Sequence, residues 1–178
     1  MRYVALLRGI NVGGHRKIKK EELADIFSSA GLTDVVTLLA SGNVVFSSNE
    51  TDESALQSVI EEALNESLGY HVDVMVRTIA YMKELVALDP FADFATEGAK
   101  FYVTFMARKP ETVPPLPEDL PSQQSVAVGV KDREFFAVSR KVQGSYGDFS
   151  PFMKAAFGKQ PMTTRNWNTV VKLAAFGD

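Results

Sequence analysis

Val35-Val36-Thr37-Leu38-Leu39-Ala40-Ser41-Gly42-Asn43-Val44-Val45-Phe46-Ser47-Ser48 is the stretch whose reading decides the fold. Two β-rich runs, residues 35–40 and 44–48, flank Ser41-Gly42-Asn43, and that spacing predicts a tight hairpin. A helix is expected on either side of it. Upstream, residues 20–30 carry an apolar stripe of Leu23, Ile26, Phe27 and Ala30, with acids in the first turn and Gly31 at the C′ position. Downstream, Leu56, Val59, Ile60, Ala63, Leu64 and Leu68 keep helical spacing over residues 52–68, and Gly69 closes the run. The apolar residues 2–8 read as a buried central strand. Residues 71–77 alternate, with Val72, Val74 and Val76 on one face. Thr78 then caps a third helix that ends before Pro90. The order is βαββαβ with a trailing helix, the ferredoxin-like split βαβ arrangement.

The second half repeats this order imperfectly. Residues 100–106 form a strand with Phe101, Val103 and Phe105 on one face. A crossover holding Pro110, Pro114, Pro115, Pro117 and Pro121 follows, with at most a short helix over residues 117–120. Residues 125–130 and 134–139 make a hairpin around Lys131-Asp132-Arg133. Ser150-Pro151 opens a helix through Phe157. Residues 161–163 form a stunted strand, and Thr164 caps a last helix ending near Phe176. The fold class is therefore α+β, a tandem pair of ferredoxin-like units over residues 1–90 and 91–178. The second copy is degenerate, and Arg77-Thr78 corresponds to Thr164-Arg165.

The chain of 178 residues is 46% hydrophobic and 23% charged, with mean hydropathy −0.03, as in a globular protein with a sizeable core. It has no cysteine, which excludes disulfides, thiolate metal sites, iron–sulfur clusters and thiol nucleophiles. Its apolar runs are strand-length and its N-terminus lacks a secretory pattern, so a cytoplasmic protein away from the membrane is expected. The net charge of −3 hides an uneven distribution. Residues 1–20 hold six cations and no acid. Residues 21–130 hold five Lys/Arg against eighteen Asp/Glu, and residues 131–178 hold eight against four. Such asymmetry makes a positive patch on an acidic protein.

That patch coincides with a glycine-rich loop after the first strand, Arg8-Gly9-Ile10-Asn11-Val12-Gly13-Gly14-His15-Arg16-Lys17-Ile18-Lys19. Gly9 and Gly14 have the spacing of a phosphate-binding loop, but His15 and Arg16 stand where Lys and Ser/Thr are needed. Nucleoside-triphosphate chemistry with magnesium is thereby rejected. An anion nest remains, beside the reading in which Gly13 and Gly14 only make a turn. In a split βαβ unit the first and second strands run parallel. The loop, the Ser41–Asn43 turn and Gly69-Tyr70-His71 then share one sheet edge. Candidate ligand contacts there are Arg8, Asn11, Gly13, Gly14, His15, Arg16 and Lys17 from the loop, with Ser41, Asn43 and His71. Arg165, Asn166 and Asn168, around Trp167 on an apolar stripe with Val170, Val171 and Ala174, offer a further polar edge. The two histidines lack a nearby paired carboxylate in sequence, so no metal is expected. No cofactor is implied.

Three segments together, Leu6–Gly14, Ser41–Phe46 and Thr164–Thr169, resemble the bacterial domain of unknown function 1697 family over the whole chain. The resemblance implies a stand-alone bacterial cytoplasmic protein and supplies no catalytic residues. Three functional readings stand. The first is a binding protein for an anionic ligand, a phosphorylated metabolite or nucleic acid, at residues 8–19. The second is an enzyme on a phosphorylated small molecule with His15 or His71 as acid or base. The third is a structural or dimerisation module. The first two readings leave the oligomeric state open, and the third expects the glycine loop to form a dimer surface.

Overall fold

The computed structural model describes residues 1–38 and 42–177. They form two compact units, Met1–Val86 with the residues from Val171 onward, and Ala87–Val170. The architecture is α+β, with two antiparallel sheets and five α-helices among the described residues.

The first unit runs β1 (Arg2–Leu7), α1 (Lys20–Ser29), β2 (Thr33–Leu38), β3 (Asn43–Ser47), α2 (Glu53–Leu68) and β4 (Val74–Thr78), with α3 (Ile79–Leu88) after it. Its sheet order is β2-β3-β1-β4, every pair antiparallel. β1 is central and almost fully buried because both faces of the strand are apolar. Tyr3, Ala5 and Leu7, with Val44, Phe46, Val74 and Val76, pack against Leu23, Ile26 and Phe27 of α1 and Leu56, Ile60 and Leu64 of α2. The Phe46 ring stacks on Tyr3 at 5.6 Å and meets Phe27 at 5.8 Å. Each such side chain contributes about 1.5–3 kcal/mol on burial. The helix ends follow local chemistry. The Asp52 carboxylate accepts from Ser54 N at 2.8 Å, and Gly69, left-handed at φ +76°, closes α2 by donating to Asn65 O at 2.9 Å. As expected, Thr78 Oγ1 caps α3, accepting from Tyr81 N at 3.1 Å.

The second unit contains β5 (Ala99–Met106), β6 (Glu118–Leu120), β7 (Ser125–Lys131), β8 (Glu134–Val142), β9 (Ser145–Tyr146), α4 (Ser150–Phe157) and β10 (Met162–Asn166), and α5 (Trp167–Ala174) follows. The sheet order is β10-β5-β8-β7-β6, with β9 on β8. Phe135 centres an aromatic cluster with Phe149, Phe152 and Phe157, at 5.4–6.0 Å between ring centres.

Four sequence expectations are corrected here. Residues 118–120 are a strand, not a short helix. Their backbone pairs with β7 from Ala127 to Ser125, and the prolines before them deny a helix its amide donors. The last strand is complete at five residues, so Thr164 lies within it and its Oγ1 meets Thr104 Oγ1 at 2.8 Å. The cap of α5 is Asn166, whose Oδ1 accepts from Asn168 N at 3.0 Å. Val171 is exposed, while Val170, Leu173 and Ala174 are buried.

The two sheets share an order. β10-β5-β8-β7 repeats β4-β1-β3-β2 strand for strand. The matching extends to residues: Arg77 on β4 lies opposite Val4, and Arg165 on β10 lies opposite Val103. Both arginines are buried, and each precedes the residue that caps the next helix. Arg165-Asn166, rather than Thr164-Arg165, is therefore the pair that occupies the place at the end of β10 that Arg77-Thr78 occupies at the end of β4.

Candidate functional site

The glycine loop folds as a miniature hairpin on the end of β1. Val12 and His15 pair, and His15 N donates to Val12 O at 3.1 Å. Gly13 and Gly14 between them have φ of +60° and +78°, the conformation a two-residue type I′ turn demands. Asn11 N donates to Arg16 O at 3.2 Å. The Asn11 carboxamide then closes the base, accepting from Ile18 N at 2.9 Å and donating to Ile18 O at 3.3 Å. Ile18 is anchored in the first unit's core.

Three of the predicted segments meet there. Leu7 N donates to Gly42 O and Arg8 N to Asp73 O, each at 2.9 Å. Gly42 is left-handed at φ +71°, and a Cβ on it would lie 3.0 Å from Leu7 Cβ and 3.3 Å from Ile10 Cβ. Arg8 Nη1 sits 3.0 Å from Asp73 Oδ2, and His71 Nε2 sits 3.0 Å from Asp73 Oδ1. The Arg16 guanidinium lies over the Tyr70 ring at 4.8 Å. Ser41 lies outside the described residues. Asn43 is buried, with Nδ2 donating to Leu38 O at 3.0 Å to close the hairpin. His15 is exposed on the hairpin tip.

Beside the hairpin opens a cavity of about 650 Å³, walled by Asn11, Gly14, Lys17, Lys19, Lys20 and Gly42 together with Ile18, Glu21, Glu22, Leu23 and Thr37. Neither histidine lines it. It borders the start of α1, where the N-cap Lys19 supplies no side-chain acceptor. The first-turn N–H groups are therefore left to solvent or a ligand.

Arg165, Asn166 and Asn168 belong to the second unit. Burial pushes the Arg165 guanidinium down to about 10, while its Nη1 donates to Thr163 Oγ1 at 2.7 Å and Thr164 O at 3.0 Å. Asn166 caps α5 and Asn168 is exposed. Trp167 packs edge-on against Phe91 at 5.3 Å.

Sequence reasoning placed Tyr70 at this edge without giving it a contact, and it missed Asp73 and Glu61. The premise that no paired carboxylate stands near a histidine does not hold, since donor atoms of Glu61, His71 and Asp73 all lie within 4.8 Å of one another. Asp73, two residues beyond His71 in an alternating stretch, was visible as its neighbour. Glu61, on a helix ten residues earlier, was not.

These features define a small α+β protein of two units, the first presenting a basic, glycine-turned hairpin beside an open cavity. The chain belongs to the family described as protein of unknown function (DUF1697), whose model matches residues 1–136. Its fold is similar to that of the conserved bacterial protein SP0830 from Streptococcus pneumoniae, with 18% identity, a TM-score of 0.67, and coverage of 98% of this chain and 97% of that one. No curated protein matches the chain significantly. Among the described residues no helix is long and apolar enough to cross a membrane.

Proposed function

We propose that this protein binds a phosphate-bearing ligand at the cavity between the glycine hairpin and the start of α1. One observation carries the reading. Lys17, Lys19 and Lys20 line that cavity, and among the described residues no acid pairs with their ammonium groups. The uncapped N-terminus of α1 adds backbone donors and a favourable dipole. Arg8 and Arg16, already held by Asp73 and Tyr70, act as structural cations at the edge. Glu21 and Glu22 share the wall, so the lysines exceed the acids by one. That small excess, with a volume inside the range of roughly 300–1,000 Å³ usual for ligand pockets, favours a phosphorylated small molecule over a nucleic-acid track.

The test is titration of the whole protein at low salt with a nucleoside monophosphate and, separately, with oligo-dT. Saturable binding that Lys17→Ala with Lys19→Ala abolishes supports the reading. A salt slope of roughly −2 to −3 for the oligonucleotide would assign the site to single strands instead. No binding of either ligand overturns it.

The His71–Asp73 contact favours a second reading, an enzyme on a phosphorylated small molecule with His71 as acid or base. Turnover lost in His71→Ala, with ligand binding retained, distinguishes it. We also read the shared strand order as a tandem pair of ferredoxin-like units, residues 1–90 and 91–178, with β6 and the proline-rich segment in place of the second copy's first helix. The setting we propose is the bacterial cytoplasm.

A further inference from the structure

We propose that Glu61, His71 and Asp73 form a binding site for a divalent transition-metal ion of the zinc type. The inference stands apart from the anion reading, because none of the three residues lines the lysine cavity. Glu61 comes from α2, and His71 and Asp73 from the connection between α2 and β4. Two short-range constraints bring them together: Gly69 ends the helix with a left-handed turn, and the buried Val72 fixes the segment that follows it.

The donor spacing suits a metal. All three groups offer an atom within 4.8 Å of the others, and His71 Nε2 lies 3.0 Å from Asp73 Oδ1. Two donors at about 2.0–2.1 Å from one ion are separated by roughly 2.8–3.4 Å at octahedral to tetrahedral angles. The His–Asp pair already has that separation.

Both carboxylates are held by neighbours, as ligating carboxylates are. Glu61 Oε1 accepts from Val74 N at 2.9 Å and from Gln57 Nε2 at 3.1 Å, which leaves Oε2 to coordinate. Arg8 Nη1 holds Asp73 Oδ2 at 3.0 Å, which turns Oδ1 to His71. Arg8 also offsets one of the two negative charges, so the pocket without an ion is not strongly repulsive. One imidazole nitrogen with two carboxylate oxygens selects zinc, cobalt or manganese over calcium, which takes six to eight oxygens. The His71 side chain is 61% exposed, so water completes the coordination sphere and the site is of the open, three-donor kind.

The experiment uses the full chain stripped with EDTA and dialysed into phosphate-free buffer. ZnCl2 is titrated by calorimetry, and CoCl2 by visible absorption. The proposal expects one saturable site per chain, a zinc-dependent rise in the thermal midpoint that EDTA reverses, and cobalt bands of a nitrogen–oxygen ligand set. His71→Ala removes an exposed side chain and leaves the core untouched, so its circular dichroism should match the parent. It should weaken zinc binding at least about tenfold, as should Asp73→Asn, while His15→Ala leaves it unchanged. Absence of saturable zinc and cobalt binding overturns the site, as does zinc binding that survives His71→Ala unweakened. Lys17→Ala with Lys19→Ala should retain zinc binding, so this site and the anion site can each fail alone.

Discussion

Asn11 and Ile18 lock the base of the glycine hairpin through both faces of one carboxamide, which accepts from Ile18 N at 2.9 Å and donates to Ile18 O at 3.3 Å. A side chain here does what a strand partner does elsewhere. The residue that makes the contact is itself left-handed, at φ +55°, a conformation asparagine tolerates better than alanine. Asn11→Ala should therefore cost about 1–3 kcal/mol in urea unfolding, and the Ile18 amide should exchange faster. Asn11→Asp keeps one bond and sets a carboxylate against the Ile18 carbonyl, so it should also destabilise. Unchanged exchange at Ile18 in both variants would show that the loop is held by something else.

Gly14 and Gly42 are both left-handed, yet alanine should cost different amounts at the two sites. Nothing lies within 4 Å of a Cβ on Gly14, so only backbone strain of about 1 kcal/mol is expected. At Gly42 the added Cβ meets Leu7 Cβ at 3.0 Å, in a core that cannot yield freely. Overpacking adds to strain there, for about 2–4 kcal/mol. Equal losses at the two positions in denaturant titrations would contradict the packing described for Gly42.

Asp148 supplies a pH-dependent contribution to the second unit. Its Oδ1 accepts from the Ser150 hydroxyl and from Ser150 N, and with Lys154 nearby these hold the carboxyl below the usual aspartate range. A depressed folded pKa means that the stabilisation is present above the unfolded value, about 3.9, and is lost as pH falls through the folded one. Asp148→Asn should reduce the unfolding free energy at neutral pH by less than about 1 kcal/mol, because the group is solvent-screened, and this is read as a small fall in the thermal midpoint. The gap to the parent should close near pH 2. A gap of constant size across that range would be evidence against the Ser150 contacts as its source.

The first unit was legible because its determinants are local. Leu56, Ile60 and Leu64 sit at helical spacing, Asp52 and Gly69 mark the ends of the same helix, and Val44–Phe46 follows a turn signal. In the second unit the determinants are distant. Leu120 is buried because residues 118–120 pair with β7, and nothing in a proline-rich run announces a partner strand. Within Thr163–Asn168, both Thr164 and Asn166 are capping residues by type. The choice of Asn166 is made by pairing with β5, which holds the strand extended to that point. The site divides in the same way. The glycine loop and His71 were visible as residue types, with Tyr70 and Asp73 beside His71 in the chain, whereas Glu61 and the pairings of Arg8 with Asp73 and of Arg16 with Tyr70 are fixed by tertiary placement.

Phosphate binding by the lysines beside the hairpin is open to amide-resolved NMR titration of the intact chain with a nucleoside monophosphate at low salt. Saturable shifts are expected at the amides of Lys17, Lys19, Lys20 and Glu21, abolished by Lys17→Ala with Lys19→Ala and weakened as salt is raised. Shifts confined to other parts of the chain, or an affinity unmoved by the double substitution, would contradict it.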